Sequence, residues 1–137
     1  MKVYVQQVGT QYIAQTWPMV EGYIAEAQKY GGDDYTLDQI KLLVSSGQWM
    51  LLVAVDDKQT IHGAATVSFS NMPNDRVAFI TYIGGKLISS LDTVAQLKDT
   101  LKRCGATKIQ GAARESVARL WRRYNFTERY TIVELKI

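Results

Sequence analysis

The sequence predicts an α/β chain, α+β in the sense that helices and strands mix around one sheet. Three observations carry this. Residues Arg76 to Gly111 read as strand, glycine-containing loop, helix and strand, a length that implies a parallel unit with a right-handed crossover. Two apolar runs, Trp49–Val55 and Ile61–Ser70, flank the turn Asp56-Asp-Lys-Gln-Thr60 and signal an antiparallel hairpin. The remaining segments complete the order β-α-α-β-β-β-α-β-α-β within a single domain, residues 1–137.

Each element has its own warrant. Lys2 to Val8 alternates Val3 and Val5 with Tyr4 and Gln6, as a strand does, and Gly9-Thr10 ends it. Tyr12, Ile13, Trp17, Val20, Tyr23, Ile24 and Ala27 recur at helical spacing, and Pro18 inside them implies a kink or a restart near Thr16. Tyr30 to Asp34 is a loop. Thr36-Leu-Asp-Gln39 has the form of a capping box, and Gly47 closes the helix it opens. After the hairpin and the turn Asn71–Asp75, Val77–Ile83 is apolar on both faces, as in a buried strand. Gly84-Gly85-Lys86 breaks it, and Ser89, Ser90 and Asp92 are candidate caps for the next helix. Leu91, Val94, Ala95, Leu97 and Leu101 form that helix's apolar stripe. Gly105 stands past its last turn. Lys108–Gly111 is a short strand, Glu115–Tyr124 a basic helix, and Thr127–Ile137 alternates as a closing strand.

Composition excludes several classes. With 47% hydrophobic residues among 137, the chain can bury a core, yet no run approaches the roughly 18–20 apolar residues of a membrane span. The start shows no signal-peptide architecture, and a reducing cytoplasm fits a chain with one cysteine, Cys104. One His and one Cys do not make a structural zinc site. A net charge of +3 permits an anionic ligand without demanding nucleic acid. The helix after Val77–Ile83 aims its first amides out of a loop at the strand's carboxyl end, a place to hold a phosphate.

The segment Ala113-Arg-Glu-Ser-Val-Ala-Arg-Leu-Trp-Arg-Arg-Tyr-Asn-Phe126 resembles the last motif of the GNAT acetyltransferases, and the element order is similar to theirs. Leu120-Trp121 falls on the family's Leu-Tyr pair, Asn125 on its Gly, and Arg114 on its Asn. Ile83-Gly-Gly85, the helix ending at Gly105, and Gly111-x-x-Arg114 with Trp121 are similar to phage-encoded GNAT-like proteins. The resemblance implies an acyl-CoA N-acyltransferase fold and transfer of an acetyl group from acetyl-CoA to an amine. The acceptor would be a small molecule or a protein. It implies acetyl-CoA contacts from Tyr82, Ile83, Gly84, Gly85, Lys86, Ser89, Ser90 and Arg114, with no metal, and admits a homodimer. The alternative is a GNAT-fold binding or virion-associated protein without catalysis.

Two departures bear on that choice. The family's cofactor loop carries glycines where Ile88 and Ser90 stand here, which brings a branched side chain to a close-approach position. The family tyrosine that protonates the departing thiolate is replaced by Trp121, whose indole N–H only donates; Tyr124 is the neighbouring hydroxyl. Asp33, Asp34 and Glu21 lie where the family builds its acceptor site. His62 reads as a strand residue, Trp17 and Trp49 as core, Cys104 as packing, and Arg119, Arg122 and Arg123 as a solvated face.

Overall fold

The structure is a computed structural model that describes residues 1–31 and 34–137. Its elements are β1 (Tyr4–Val8), α1 (Ile13–Gln28), α2 (Leu37–Ser45), β2 (Met50–Val55), β3 (Ile61–Asn71), β4 (Arg76–Gly85), α3 (Leu91–Arg103), β5 (Lys108–Gly111) and α4 (Glu115–Arg122). One sheet runs in chain order, β1-β2-β3-β4-β5. The first four strands pair antiparallel, and only β4 and β5 are parallel, Val77 opposite Lys108 through Ile80 opposite Gly111. That pair, joined by α3, is the crossover expected from Arg76–Gly111.

Two cores sandwich the sheet. Ile13, Trp17, Val20 and Ile24 of α1, with Ile40 and Val44 of α2, pack on Leu51, Val53, Val55 and Tyr82. On the opposite face Val94, Leu97 and Leu101 of α3, with Trp121 of α4, pack on Leu52, Ala65, Val67 and Ile80. Trp17 and Trp49 are buried, as their surroundings in the sequence imply.

Local chemistry accounts for the element ends. Thr36 and Gln39 form the expected capping box on α2. Gly47 and Gly105 adopt φ of +81° and +87° past α2 and α3, a conformation that favours glycine. Helix α1 is continuous through Pro18, with no restart at Thr16, because Pro18 sits in its second turn and Trp17 and Val20 on either side are held in the core. Strand β4 extends two residues past the expected Ile83, since Gly84 and Gly85 still pair with Ala64 and Gly63.

One expectation fails. Residues 127–137 form no strand, and their side chains are exposed. The reason is geometric. β5 is four residues long, and by Arg129 and Tyr130 the chain already stands beside Lys108, at the start of β5. The free edge that a closing strand would join is thus only four residues long.

Candidate functional site

The site is built where β4 and β5 part. Past Ile80 and Gly111 the two parallel strands no longer pair, so Thr81–Gly85 present an open edge. A bulge coincides with the parting: Tyr82 stands opposite Thr66 and Ile80 opposite Val67, leaving Thr81 as the extra residue. The Thr81 hydroxyl donates to the Thr66 carbonyl at 2.9 Å and lies 2.6 Å from the Thr66 hydroxyl, which is fully buried. This hydroxyl pair holds the extra residue in place, so the re-aimed backbone is a fixed feature.

The loop leaving β4 is anchored from beneath. Lys86 donates its amide to the His62 carbonyl at 2.9 Å, and Leu87 and Ile88 are buried in the α3-side core. Ile88 therefore does not put its branched side chain in the mouth of the loop. Gly84 and Gly85 have a packing reason of their own. A Cβ on Gly84 would stand 2.4 Å from the Tyr23 carbonyl oxygen of α1, and one on Gly85, with φ +71°, 2.4 Å from the His62 carbonyl oxygen.

Helix α3 begins with four amides that the helix itself cannot satisfy, those of Ser90 to Thr93. The buried Thr93 hydroxyl accepts from the Ser89 and Ser90 amides at 3.1 Å each, and the Ser90 hydroxyl accepts from the Thr93 amide at 3.1 Å. Ser90 is thus the cap among the three candidates. The Leu91 and Asp92 amides remain for an outside acceptor, beside the exposed Lys86 and Ser89.

The facing wall joins two helix ends. The Arg114 guanidinium, at the start of α4, lies over the Tyr30 ring at 3.7 Å, just past the end of α1. Tyr82 is buried beneath: its ring is 3.4 Å from where a Gly31 Cβ would stand, and it meets Tyr35 edge-on at 6.5 Å. Tyr35 in turn meets Trp49 at 4.8 Å. Burial pushes the Tyr82 phenol above its usual 10.0, with Asp34 adding to the rise, so it stays protonated at neutral pH.

With this geometry in view, comparison with solved structures is decisive for the fold. A metagenomic soil aminoglycoside acetyltransferase, meta-AAC0020, solved in complex with trehalose, superposes with a TM-score of 0.71 at 9% identity, covering 98% of this chain and 95% of that one. The chain adopts the GNAT-like acetyltransferase fold. A predicted acetyltransferase with acetyl-CoA from Clostridium acetobutylicum superposes at 0.64 with 14% identity, covering 98% of this chain and 96% of its own. The 6'-N-acetyltransferase AAC(6')-Ih from Acinetobacter baumannii superposes at 0.64 with 15% identity, covering 99% and 98%. No family model and no curated protein matches the sequence.

On this GNAT-like fold the residues singled out from sequence fall in three places. Tyr82, Ile83, Gly84 and Gly85 occupy the open half of β4, Lys86, Ser89 and Ser90 the loop, and Arg114 the facing wall. Trp121 is in the core, its ring 3.1 Å from where a Gly111 Cβ would stand and 5.2 Å from Phe126. Tyr124 is half-buried against the same core. Asn125, which the sequence resemblance aligns with a glycine, has φ +72°, a conformation asparagine tolerates better than most residues.

The remaining candidates lie apart. Glu21 is on the exposed side of α1, and Asp33 lies outside the described residues. His62 is 2.8 Å from the Asp56 carboxylate at the β2–β3 turn, and the bond holds that carboxyl below its usual 3.8, helped by the Thr60 and Lys58 amides. Sequence reading missed Thr66, Thr81, Thr93 and Tyr30. Nothing in the alternation of the β3 and β4 sequences marks the bulge. No helix among the described residues is long and apolar enough to cross a membrane.

Proposed function

We propose that this protein is an acetyl-CoA-dependent N-acetyltransferase of the GNAT type, acting on an amine borne by a small molecule or a protein. The observation that supports it is the parting of β4 from β5 beside the Thr81 bulge, with the start of α3 behind it. The residues present fit the group in part. The open edge at Tyr82 and Ile83 suits an extended chain that hydrogen-bonds to backbone. The Leu91 and Asp92 amides, Lys86 and Ser89 suit a pyrophosphate. Arg114 would meet further phosphate charge, while Gly84, Gly85 and Ser90 shape the loop without offering it an amide cradle.

Acetyl-CoA, when bound, supplies an acetyl group activated as a thioester. The chain's contribution is position and polarity. A backbone N–H freed at the bulge would donate to the carbonyl oxygen as charge develops there, in a setting already fixed by the two threonine hydroxyls. The amine must arrive neutral, and Asp34, whose charge reaches Tyr82, would accept its proton. Tyr82, held protonated, is a donor that orients the acceptor rather than a base. Tyr124, or water, would supply the proton needed by the departing thiolate when a C–N bond replaces the C–S bond. Trp121 takes no part in that transfer.

The test is calorimetry with acetyl-CoA, followed by turnover with a panel of amines. Binding in the micromolar range or weaker is expected, because part of the usual cradle is closed by Thr93. Lys86→Glu with Ser89→Asp, both exposed, should weaken binding by about tenfold or more, each tenfold being about 1.4 kcal/mol. Equal affinity in the double variant would place the cofactor elsewhere. The closed Ser89 and Ser90 amides and the buried Trp121 also favour a second reading, a GNAT-fold module that binds its ligand without turning it over. Saturable binding with no acetylated amine would select it. The affinity with phage-encoded proteins rests on sequence pattern alone.

A further inference from the structure

Strand β3 carries a bulge of its own, at the end of the sheet where the loop leaves β4. Ala54 of β2 stands opposite Gly63 and Val55 opposite Ile61, so His62 is the extra residue. Three neighbouring residues there each meet a different part of the molecule. The Tyr23 hydroxyl of α1 donates to the Ile61 carbonyl at 3.1 Å. The His62 carbonyl accepts from the Lys86 amide at 2.9 Å. Gly63 leaves room for the same loop, since a Cβ there would stand 2.7 Å from the Lys86 nitrogen and 3.0 Å from that of Leu87. The Lys86 carbonyl in turn accepts from the Ser89 hydroxyl at 3.1 Å. The two exposed polar side chains of the loop thus hang from one backbone bond to His62. Two glycines precede Lys86, so the backbone there has little stiffness of its own.

The bulge is itself held from the β2–β3 turn. Asp56 Oδ1 accepts from the Lys58 and Thr60 amides at 2.9 and 3.0 Å, and Oδ2 lies 2.8 Å from His62 Nε2. A carboxylate only accepts, so that nitrogen carries the proton. The two side chains are 24% and 18% exposed, too enclosed for the pair to be a loose surface contact. We propose that Asp56 and His62 are positioning residues for the loop Lys86–Ser90. The carboxylate fixes the ring, the ring fixes the bulge, and the bulge carbonyl fixes where Lys86 and Ser89 meet a ligand's phosphates. Their effect on the ligand rests on the acetyl-CoA reading above; their hold on the loop rests on geometry alone.

The experiment compares the wild type with Asp56→Ala, His62→Ala and His62→Gln, the last of which keeps a side-chain donor. Calorimetry with acetyl-CoA is read beside amide exchange, by NMR, of the free proteins. Both alanine variants should bind acetyl-CoA roughly three- to tenfold more weakly, the range of one lost hydrogen bond, and His62→Gln should stay within about twofold of wild type. Asp56 is the discriminating position. Removing a carboxylate favours an anionic ligand on charge alone, so weaker binding by Asp56→Ala reports lost position. The Lys86 amide should exchange faster in both alanine variants, with the amides of Val77–Ile80 unchanged. Alanine variants that bind like wild type, tighter binding by Asp56→Ala, or His62→Gln as weak as His62→Ala would each overturn the positioning role. Protection lost evenly across the sheet would overturn it too, because that marks a general loss of stability. A wild type that binds no acetyl-CoA, with Lys86 exchange still answering to His62→Ala and rescued by His62→Gln, would overturn the acetyltransferase reading and uphold the hold on the loop.

Discussion

At the scale of single residues, close approach explains more than flexibility does. Gly84 reads from sequence as half of a ligand-cradling pair. The structure shows the Tyr23 carbonyl where its Cβ would be, so α1 already occupies that face. Gly84→Ala should cost stability at the upper end of the roughly 1–3 kcal/mol typical of overpacking, because the atom met is backbone and cannot swing aside. A denaturant midpoint unchanged from wild type would refute this. Charge is just as local. Bonds from His62 hold the Asp56 carboxyl below 3.8, and Lys108 and Thr107 do the same for Asp75. A depressed carboxyl contributes stability that is present above its unfolded value and lost as pH falls through the lower folded one. Thermal midpoints should therefore fall below about pH 4, where unfolded carboxyls begin to protonate. The fall should be shallower in an Asp56→Asn, Asp75→Asn double variant. Parallel curves for the two proteins would show that these carboxyls do not matter.

At the scale of elements, hydroxyls at strand and helix ends set the geometry that any ligand would meet. Thr93 serves as acceptor for two amides and donor to the Ser90 carbonyl, and it is 2% exposed. Thr93→Val keeps the shape and removes all of this. The expected loss is about 1–3 kcal/mol, for amides left without partners and a weakened cap, read from urea unfolding. A loss under a few tenths would mean water replaces the hydroxyl. Elements were also where the sequence was most legible. Periodicity and capping residues located α1 to α4 and the strands β1 to β5. The parallel β4–β5 pair followed from chain length alone, because a helix-length connection admits little else. The bulge was not legible, since a single extra residue leaves no mark on an alternation apolar on both faces, as Val77–Ile83 is. Nor was the role of Thr93 visible, because a capping hydroxyl at the third helical position looks like any other helix threonine.

For the whole molecule, the question is whether the fold is put to catalytic use. Trp121 carries it, because the sequence resemblance aligns it with a tyrosine of the GNAT enzymes and the structure buries it between Gly111 and Phe126. Trp121→Phe should cost modest stability, less than the roughly 3–5 kcal/mol of a Trp→Ala cavity, and leave any acetyl transfer unchanged. Trp121→Tyr should give no gain, although a general acid in the right place is worth about 10²–10⁴-fold. The measurement is turnover of the three proteins side by side. A Tyr variant several-fold faster than wild type would show that thiolate departure limits the reaction and that the core position reaches it. The closing strand was the whole-molecule feature misread from sequence. Its alternation states a preference and not a partner, and the free edge at β5 is only four residues long.

The side-chain amide of Gln96 has a kinetic consequence. Gln96 of α3 accepts from the Val5 amide at 2.8 Å and donates to the Val3 carbonyl at 3.0 Å, standing in for a neighbouring strand along the free side of β1. Every strand pairs with its neighbour in the chain, and β2, β3 and β4 form a local meander, so most of the sheet can assemble over short loops. The Gln96 bonds instead close a separation of 91 residues or more, the kind of contact whose loop entropy delays it to the late stages of folding. Gln96→Ala should therefore hasten unfolding and leave the folding limb of a chevron plot where it was. Slowed folding would mean that β1 docks before the meander is complete. On this account Gln96 is a latch: it sets how long the assembled protein lasts, and not how quickly it is made.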